Sequence, residues 1–295
     1  MKKVFPRFDA FLDLPKGKVD NMELTLVLRM GMRQINPAAD AADGTYHDYG
    51  PHSTKGRDRK IIKWTDGAWS AYKRKFEREV QNFWSNTFFL LNPSDYFAFE
   101  NKGKLYAPHT VCRLDLQIND GQAASNHHNI EVVRLHSSES FFGSHSKLYD
   151  SNDIKSTTKA WDSNSDPVKQ KAHVHEVGHL LGLGHVNEGT AACPDGPGDD
   201  TNATACYGVT DTELNSVMGS GMKPRLSNAS PWQSAIRSFC SAAKYKSLRT
   251  AASLVAPAMG PGATFVTDVV TPSLFLATSP TWEARFAEPK PQALN

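Results

Sequence analysis

His175-Glu-Val-Gly-His-Leu-Leu-Gly-Leu-Gly-His185 is the stretch on which the reading of this chain turns. Its pattern is H-E-x-x-H-x-x-G-x-x-H. On a helix, His175 and His179 fall on one face, one turn apart. His185 lies too far along to join them from the same straight helix. Gly182 supplies the way out. Without a Cβ it takes a left-handed backbone conformation, ends the helix and lets the chain swing His185 back. Three neutral imidazoles around one open corner are a ligand set suited to zinc. Glu176, beside the first ligand, can act as general base at that corner.

Asp166 as N-cap and Pro167 in the first turn predict where this helix starts. Val168, Ala172, Val174, Val177, Leu180 and Leu181 spread apolar groups around most of its circumference, the pattern of a buried helix. Three histidines and a glutamate are costly there unless something pairs with them. A metal is the simplest partner. His173 falls on a different face and reads as a supporting or solvated residue instead of a ligand.

The run resembles the metzincin clan of zinc endopeptidases. The resemblance extends to Asn215-Ser-Val-Met-Gly-Ser-Gly-Met222, where Met218 fits the clan's turn methionine better than Met222 does. In the clan that methionine is an apolar floor under the ligands. Gly219 and Gly221 suit a tight turn there. The resemblance is specific from about Asp166 to Met222 and departs from the clan in places. Ser220 stands where some metzincin families carry a tyrosine. No cysteine-switch propeptide is visible; Cys193-Pro-Asp-Gly196 echoes one but follows the zinc motif.

The resemblance implies an α+β fold. Its upper half would hold a mixed twisted sheet and two long helices, and its loop-rich lower half one C-terminal helix. It implies hydrolysis of peptide bonds by a zinc-bound water that Glu176 deprotonates. It implies a protein or peptide substrate lying along an edge strand before the zinc helix, placed at Phe142, Gly143, Ser144 and His145. Two rival readings stand beside it. One is a zinc-containing binding protein without activity. The other is a narrow-specificity effector or toxin exported without a signal peptide.

The 295 residues suffice for one large domain or two small ones. A mean hydropathy of −0.47 indicates a soluble chain. Thirty-three basic and thirty-one acidic residues leave a net charge of +2, which argues against a dedicated nucleic-acid or acidic-membrane surface. The apolar run at Phe88-Phe-Leu-Leu91 is too short to span a bilayer, so no membrane insertion is expected. The start, Met1-Lys-Lys-Val-Phe-Pro-Arg-Phe-Asp, lacks the apolar stretch of a secretion signal. Either a signal was removed, or export takes another route, or the protein stays in the cytoplasm.

Cys193 and Cys206 bracket a glycine- and aspartate-rich loop, and a disulfide between them is the favoured pairing. Closing such a loop contributes roughly 3 kcal/mol and points to an oxidising destination outside the cytoplasm. Cys112 and Cys240 both read as buried, as a second bridge or as two inert thiols. Asp195-Gly-Pro-Gly-Asp-Asp200 invites a calcium reading, but its spacing matches no EF-hand and a solvated loop is preferred.

Residues 1–20 read as an extended entry segment. Leu24–Met30 reads as a buried strand and residues 37–62 as a long polar loop. Thr65 or Asp66 caps a helix whose apolar stripe is Trp69, Tyr72, Phe76, Val80 and Phe83. Val111–Ile118, Asn129–Leu135 and, more weakly, Ser140–Leu148 read as strands. Ser151–Ser165 reads as a polar connection. These complete an upper half over residues 21–185, the lower half spanning 186–246. Ser230 caps a further helix, Pro231–Ala243. The Pro- and Ala-rich residues 247–295 form a tail with strand-like islands at Thr264–Val270 and Ser273–Ala277. It would be disordered, pack along the domain, or contact a partner or inhibitor. A monomer is expected.

Overall fold

The computed structural model describes residues 1–15, 18–38, 41–48, 57–140, 148–193, 203–240 and 281–294. It is an α+β fold built on an eight-stranded mixed sheet. Its axis is strand β3 (Met22–Ile35), preceded by β1 (Lys2–Val4) and β2 (Asp9–Asp13). After β3 come a hairpin, β4 (Asp43–Asp48) with β5 (Arg57–Ile62), and helix α1 (Asp66–Trp84). Strands β6 (Phe89–Leu90), β7 (Phe99–Asn101), β8 (Lys104–Ala107), β9 (Thr110–Asp120), β10 (His128–Val133) and β11 (Leu148–Asp150) follow.

One edge of β3 pairs with β9 in parallel, from Met22↔Thr110 to Met32↔Asp120. Its other edge is shared. Antiparallel β2 takes the first half and parallel β10 the second. β11 continues the parallel set beside β10. Parallel neighbours need a crossover, and α1 provides the one between β3 and β9.

The helix forms where its signals predict. Thr65 accepts a hydrogen bond from the Ala68 amide at 3.3 Å. Trp69, Tyr72, Phe76 and Val80 are buried as expected. The stripe then ends on fully buried Trp84, while Phe83 is only partly covered. Leu24, Leu26, Leu28, Leu114 and Leu116 face this stripe from the sheet in one core. Burying each such side chain stabilises by roughly 1.5–3 kcal/mol.

The path into the histidine motif differs from the expectation. Strands β12 (Ser156–Trp161) and β13 (Pro167–Lys171) form a separate antiparallel hairpin where a polar connection and a helix start were expected. Helix α2 begins only at Ala172 and ends at Leu181. Val168 and Gln170 are buried while Pro167 and Lys169 are exposed. That alternation has period two, so Val168 belongs to a strand and Asp166 caps no helix. Pro167 is tolerated because it opens the strand.

Within the expected extended entry segment, β1 and β2 form an antiparallel pair joined to β3. Two more corrections concern the edges. The loop expected over 37–62 contains the β4–β5 hairpin. The last helix, residues 230–240, already includes Ser230 in helical geometry, so Ser230 is not its cap. The described end of the tail packs along the domain. β14 (Ala284–Arg285) pairs with β6, β15 (Gln292–Leu294) pairs with β8, and Trp282 is fully buried. Both strand-like islands of the tail and the expected edge strand at Phe142, Gly143, Ser144 and His145 lie outside the described residues. So does the stretch Asp195–Asp200.

Candidate metal centre

Helix α2 is short and almost wholly enclosed. Eight of its ten residues are buried, leaving Glu176 and His179 with solvent access. Its last turn ends on Gly182 at φ 100°, and the Gly182 amide donates to the His179 carbonyl at 2.9 Å. An L side chain rarely adopts that backbone, so the glycine is needed for the turn. The turn brings His185 back against the helix.

His175, His179 and His185 converge as predicted, with one nitrogen from each inside a single cluster. His179 Nε2 lies 3.0 Å from His175 Nε2 and 3.1 Å from His185 Nε2. Four ligands around zinc at their usual bond lengths stand about 3.3 Å apart. Ring lone pairs this close repel unless a cation or proton sits among them. The other ring nitrogens fix the tautomers. His175 Nδ1 donates to the Val217 carbonyl at 2.7 Å, and His179 Nδ1 to the Leu183 carbonyl at 2.8 Å. Both Nε2 atoms therefore carry lone pairs toward the cluster, the arrangement by which backbone carbonyls orient metal-binding histidines. The donor set and its spacing, with the tautomers of His175 and His179, fit a metal ion.

The electrostatics agree. Burial first, then the neighbouring His179, holds His175 well below the ordinary histidine value. His179 is pushed down to about 4, by burial and then by His185. Both rings are thus neutral at physiological pH, the form that binds metal. Lys159 on β12 is close enough for its charge to add to the lowering at His175.

Met218 closes the underside of α2. It is 1% exposed, and a Cβ added at Gly178 would collide with its sulfur. The Met218 carbonyl accepts from the Val186 amide at 2.9 Å, tying this turn to the segment that carries His185. Gly219 sits where a Cβ would run into the Glu213 and Tyr207 carbonyls, so the turn needs a glycine for close approach. Met222 is peripheral, its sulfur 3.4 Å from the Lys171 amide.

The Cys193–Cys206 disulfide is present, with 13 residues of separation and Cα atoms 5.0 Å apart. Cys112 and Cys240 are buried free thiols, so there is no second bridge. His173 is fully buried and not solvated. Its Nδ1 donates to the Asp153 carbonyl at 2.9 Å, and its Nε2 lies 3.2 Å from Glu79 on α1. Burial first, then the charge of Glu176, pushes the phenol of Tyr149 on β11 up.

Two neighbours of the cluster were not singled out in the sequence. Tyr207 follows the disulfide cysteine, and its ring stands 4.0 Å from that of His185. Gln170, buried on β13, donates to the Gly219 carbonyl at 2.7 Å and lies 3.2 Å from His175 Nδ1. An aromatic in a loop and a glutamine in a strand carry no signal until the chain is folded. No family model, no curated protein and no solved structure matches this chain. Its function is therefore read from its own residues.

Proposed function

We propose that this chain is a zinc-dependent endopeptidase of the metzincin type, with His175, His179 and His185 as metal ligands and Glu176 as general base. The observation that carries the reading is the pair of Nε2 separations, 3.0 and 3.1 Å, together with Nδ1 atoms committed to backbone carbonyls. A bound zinc ion supplies Lewis acidity, which makes water acidic near neutrality and polarises a carbonyl. The remaining work falls to the protein. Glu176, like His179, keeps access to solvent on a mostly enclosed helix, and it takes the proton of the attacking water. The same carboxyl then hands that proton to the leaving amine. The Val217 carbonyl holds the His175 ring, and Met218 packs beneath α2 at Gly178. The disulfide suits an oxidising destination, and no described helix is long and apolar enough to cross a membrane.

One substitution tests the assignment. Glu176→Gln removes the base but no ligand. Zinc content should stay at one ion per chain while turnover of a fluorogenic peptide falls by about a hundredfold or more. Full turnover in this variant would refute the base. A second reading, a zinc-holding protein without activity, draws on Ser220 standing where some metzincins place a tyrosine. It predicts that the parent protein cleaves no peptide in a diverse library.

A further inference from the structure

The His175 and His179 rings are fixed through Nδ1 by backbone carbonyls. The His185 ring carries an aromatic neighbour. Tyr207 lies 4.0 Å from it, centroid to centroid, at an interplanar angle of 38°. The same ring stands 5.9 Å from that of His175, at 19°. His175 and His185 are within 23° of parallel, while His179 crosses them at 86° and 82°. That crossed arrangement decides where the three Nε2 atoms point. The χ2 torsion of a histidine has only a broad intrinsic preference. The plane of an imidazole is therefore set by what packs against it, and a ring in contact at 4.0 Å blocks its rotation. Tyr207 is itself well held. It closes the short helical turn Thr204–Tyr207, next to Cys206, which the disulfide ties to Cys193. The Cys206 carbonyl accepts from the Asn187 amide at 3.1 Å, and Asn187 Nδ2 donates to the Ala205 carbonyl at 3.0 Å. Asn187 follows His185 by two residues, so the segment bearing Tyr207 and the segment bearing His185 are tied together. On the other side, a Cβ at Gly219 would come within 2.5 Å of the Tyr207 carbonyl, so the methionine turn packs directly on this backbone.

We infer that Tyr207 is a positioning residue for the metal centre: its ring sets the plane of the His185 imidazole and keeps Nε2 aimed at the ion. The inference rests on the three histidines being the ligands of a metal, and not on peptide cleavage. The contact is made by the aromatic ring, so the ring matters and the hydroxyl does not. Partners that orient metal-binding histidines typically change metal affinity by about 10- to 100-fold when removed.

The test uses the full chain, as the parent, Tyr207→Ala and Tyr207→Phe. Each is titrated with zinc against a chelator, and with cobalt(II) followed by visible absorption, whose bands report ligand number and geometry. Tyr207→Ala should bind zinc about tenfold more weakly or worse, with weaker and shifted cobalt bands. Tyr207→Phe, which keeps the ring, should retain the parent's affinity and spectrum. Should Tyr207→Ala fail to fold, Tyr207→Leu takes its place, keeping bulk without a flat face, with the same expectation. Parent-like affinity and spectrum in the ring-less variant would overturn the inference. So would an affinity loss with unchanged cobalt bands, or a loss in Tyr207→Phe equal to that in Tyr207→Ala. A parent chain that binds neither ion would sink the metal reading and the inference together. Metal binding that depends on the ring, in a chain that cleaves no peptide, would sustain the inference and sink the hydrolase reading alone.

Discussion

Helices α1 and α2 touch, yet they are stabilised by opposite means. α1 has 19 residues, a side-chain cap at Thr65, one apolar stripe and one charged face. α2 has 10 residues and no side-chain cap, and it buries nearly its whole circumference. Trp84 of α1 donates its indole N–H to the Val174 carbonyl of α2 at 3.3 Å. Glu79 of α1 lies 3.2 Å from Lys171 at the mouth of α2. The longer helix is a scaffold whose stability comes from packing. The shorter one spends its burial on holding imidazoles neutral and aimed. Scaffold packing and the candidate metal site are thus divided between adjacent helices.

That division can be broken from either side. Phe76→Ala opens a cavity in the fully buried stripe of α1. It should cost about 3–5 kcal/mol in urea unfolding, by the same amount with and without zinc. A loss that depended on zinc would mean that α1 belongs to the metal site. Replacing Cys193 and Cys206 together by serine releases the loop beside Tyr207. Stability should fall by roughly 3 kcal/mol, and zinc affinity should fall with it, because the Cys206 carbonyl holds the Asn187 amide two residues after His185. Unchanged affinity would show the disulfide to be a clasp for the loop alone.

The smallest expected effect is that of pH. His179 is depressed from 6.5 to about 4 in the metal-free protein. The unfolded chain binds a proton in that window and the folded one does not, so metal-free stability falls as pH drops from 6.5 toward about 4. For the same reason protons compete poorly with zinc above the folded value. Chelator competition should show nearly constant affinity as pH passes through 6.5 and a decline only near about 4. A steep loss at the ordinary histidine value would place His179 in water.

The two helices also differ in how far the sequence revealed them. α1 was legible because its cap, stripe and charged face recur over five turns, and local pattern agrees with burial. The histidines of α2 were legible because spacing four on a helix and a left-handed glycine leave few alternatives. Its beginning was not. Five residues, Pro167–Lys171, cannot separate a period of two from one of 3.6, and Asp166-Pro167 imitates a helix start. β12 was hidden for a different reason. Ser156-Thr-Thr-Lys-Ala-Trp161 has little apolar signal, and its pairing depends on a partner strand whose own period is ambiguous. Tyr207 gains meaning only from that tertiary arrangement. The hairpin over 43–62 was masked by polar residues such as Thr45 and His47, which suit a two-stranded ribbon exposed on one face.

Zinc titration against a chromophoric chelator, on the parent chain and on His179→Ala, tests the central claim most directly. The parent should bind one ion tightly, and the variant should lose several orders of magnitude in affinity while keeping its metal-free unfolding midpoint close to the parent's. Tight binding that survives the loss of His179 would mean that the three imidazoles are not the metal's ligands.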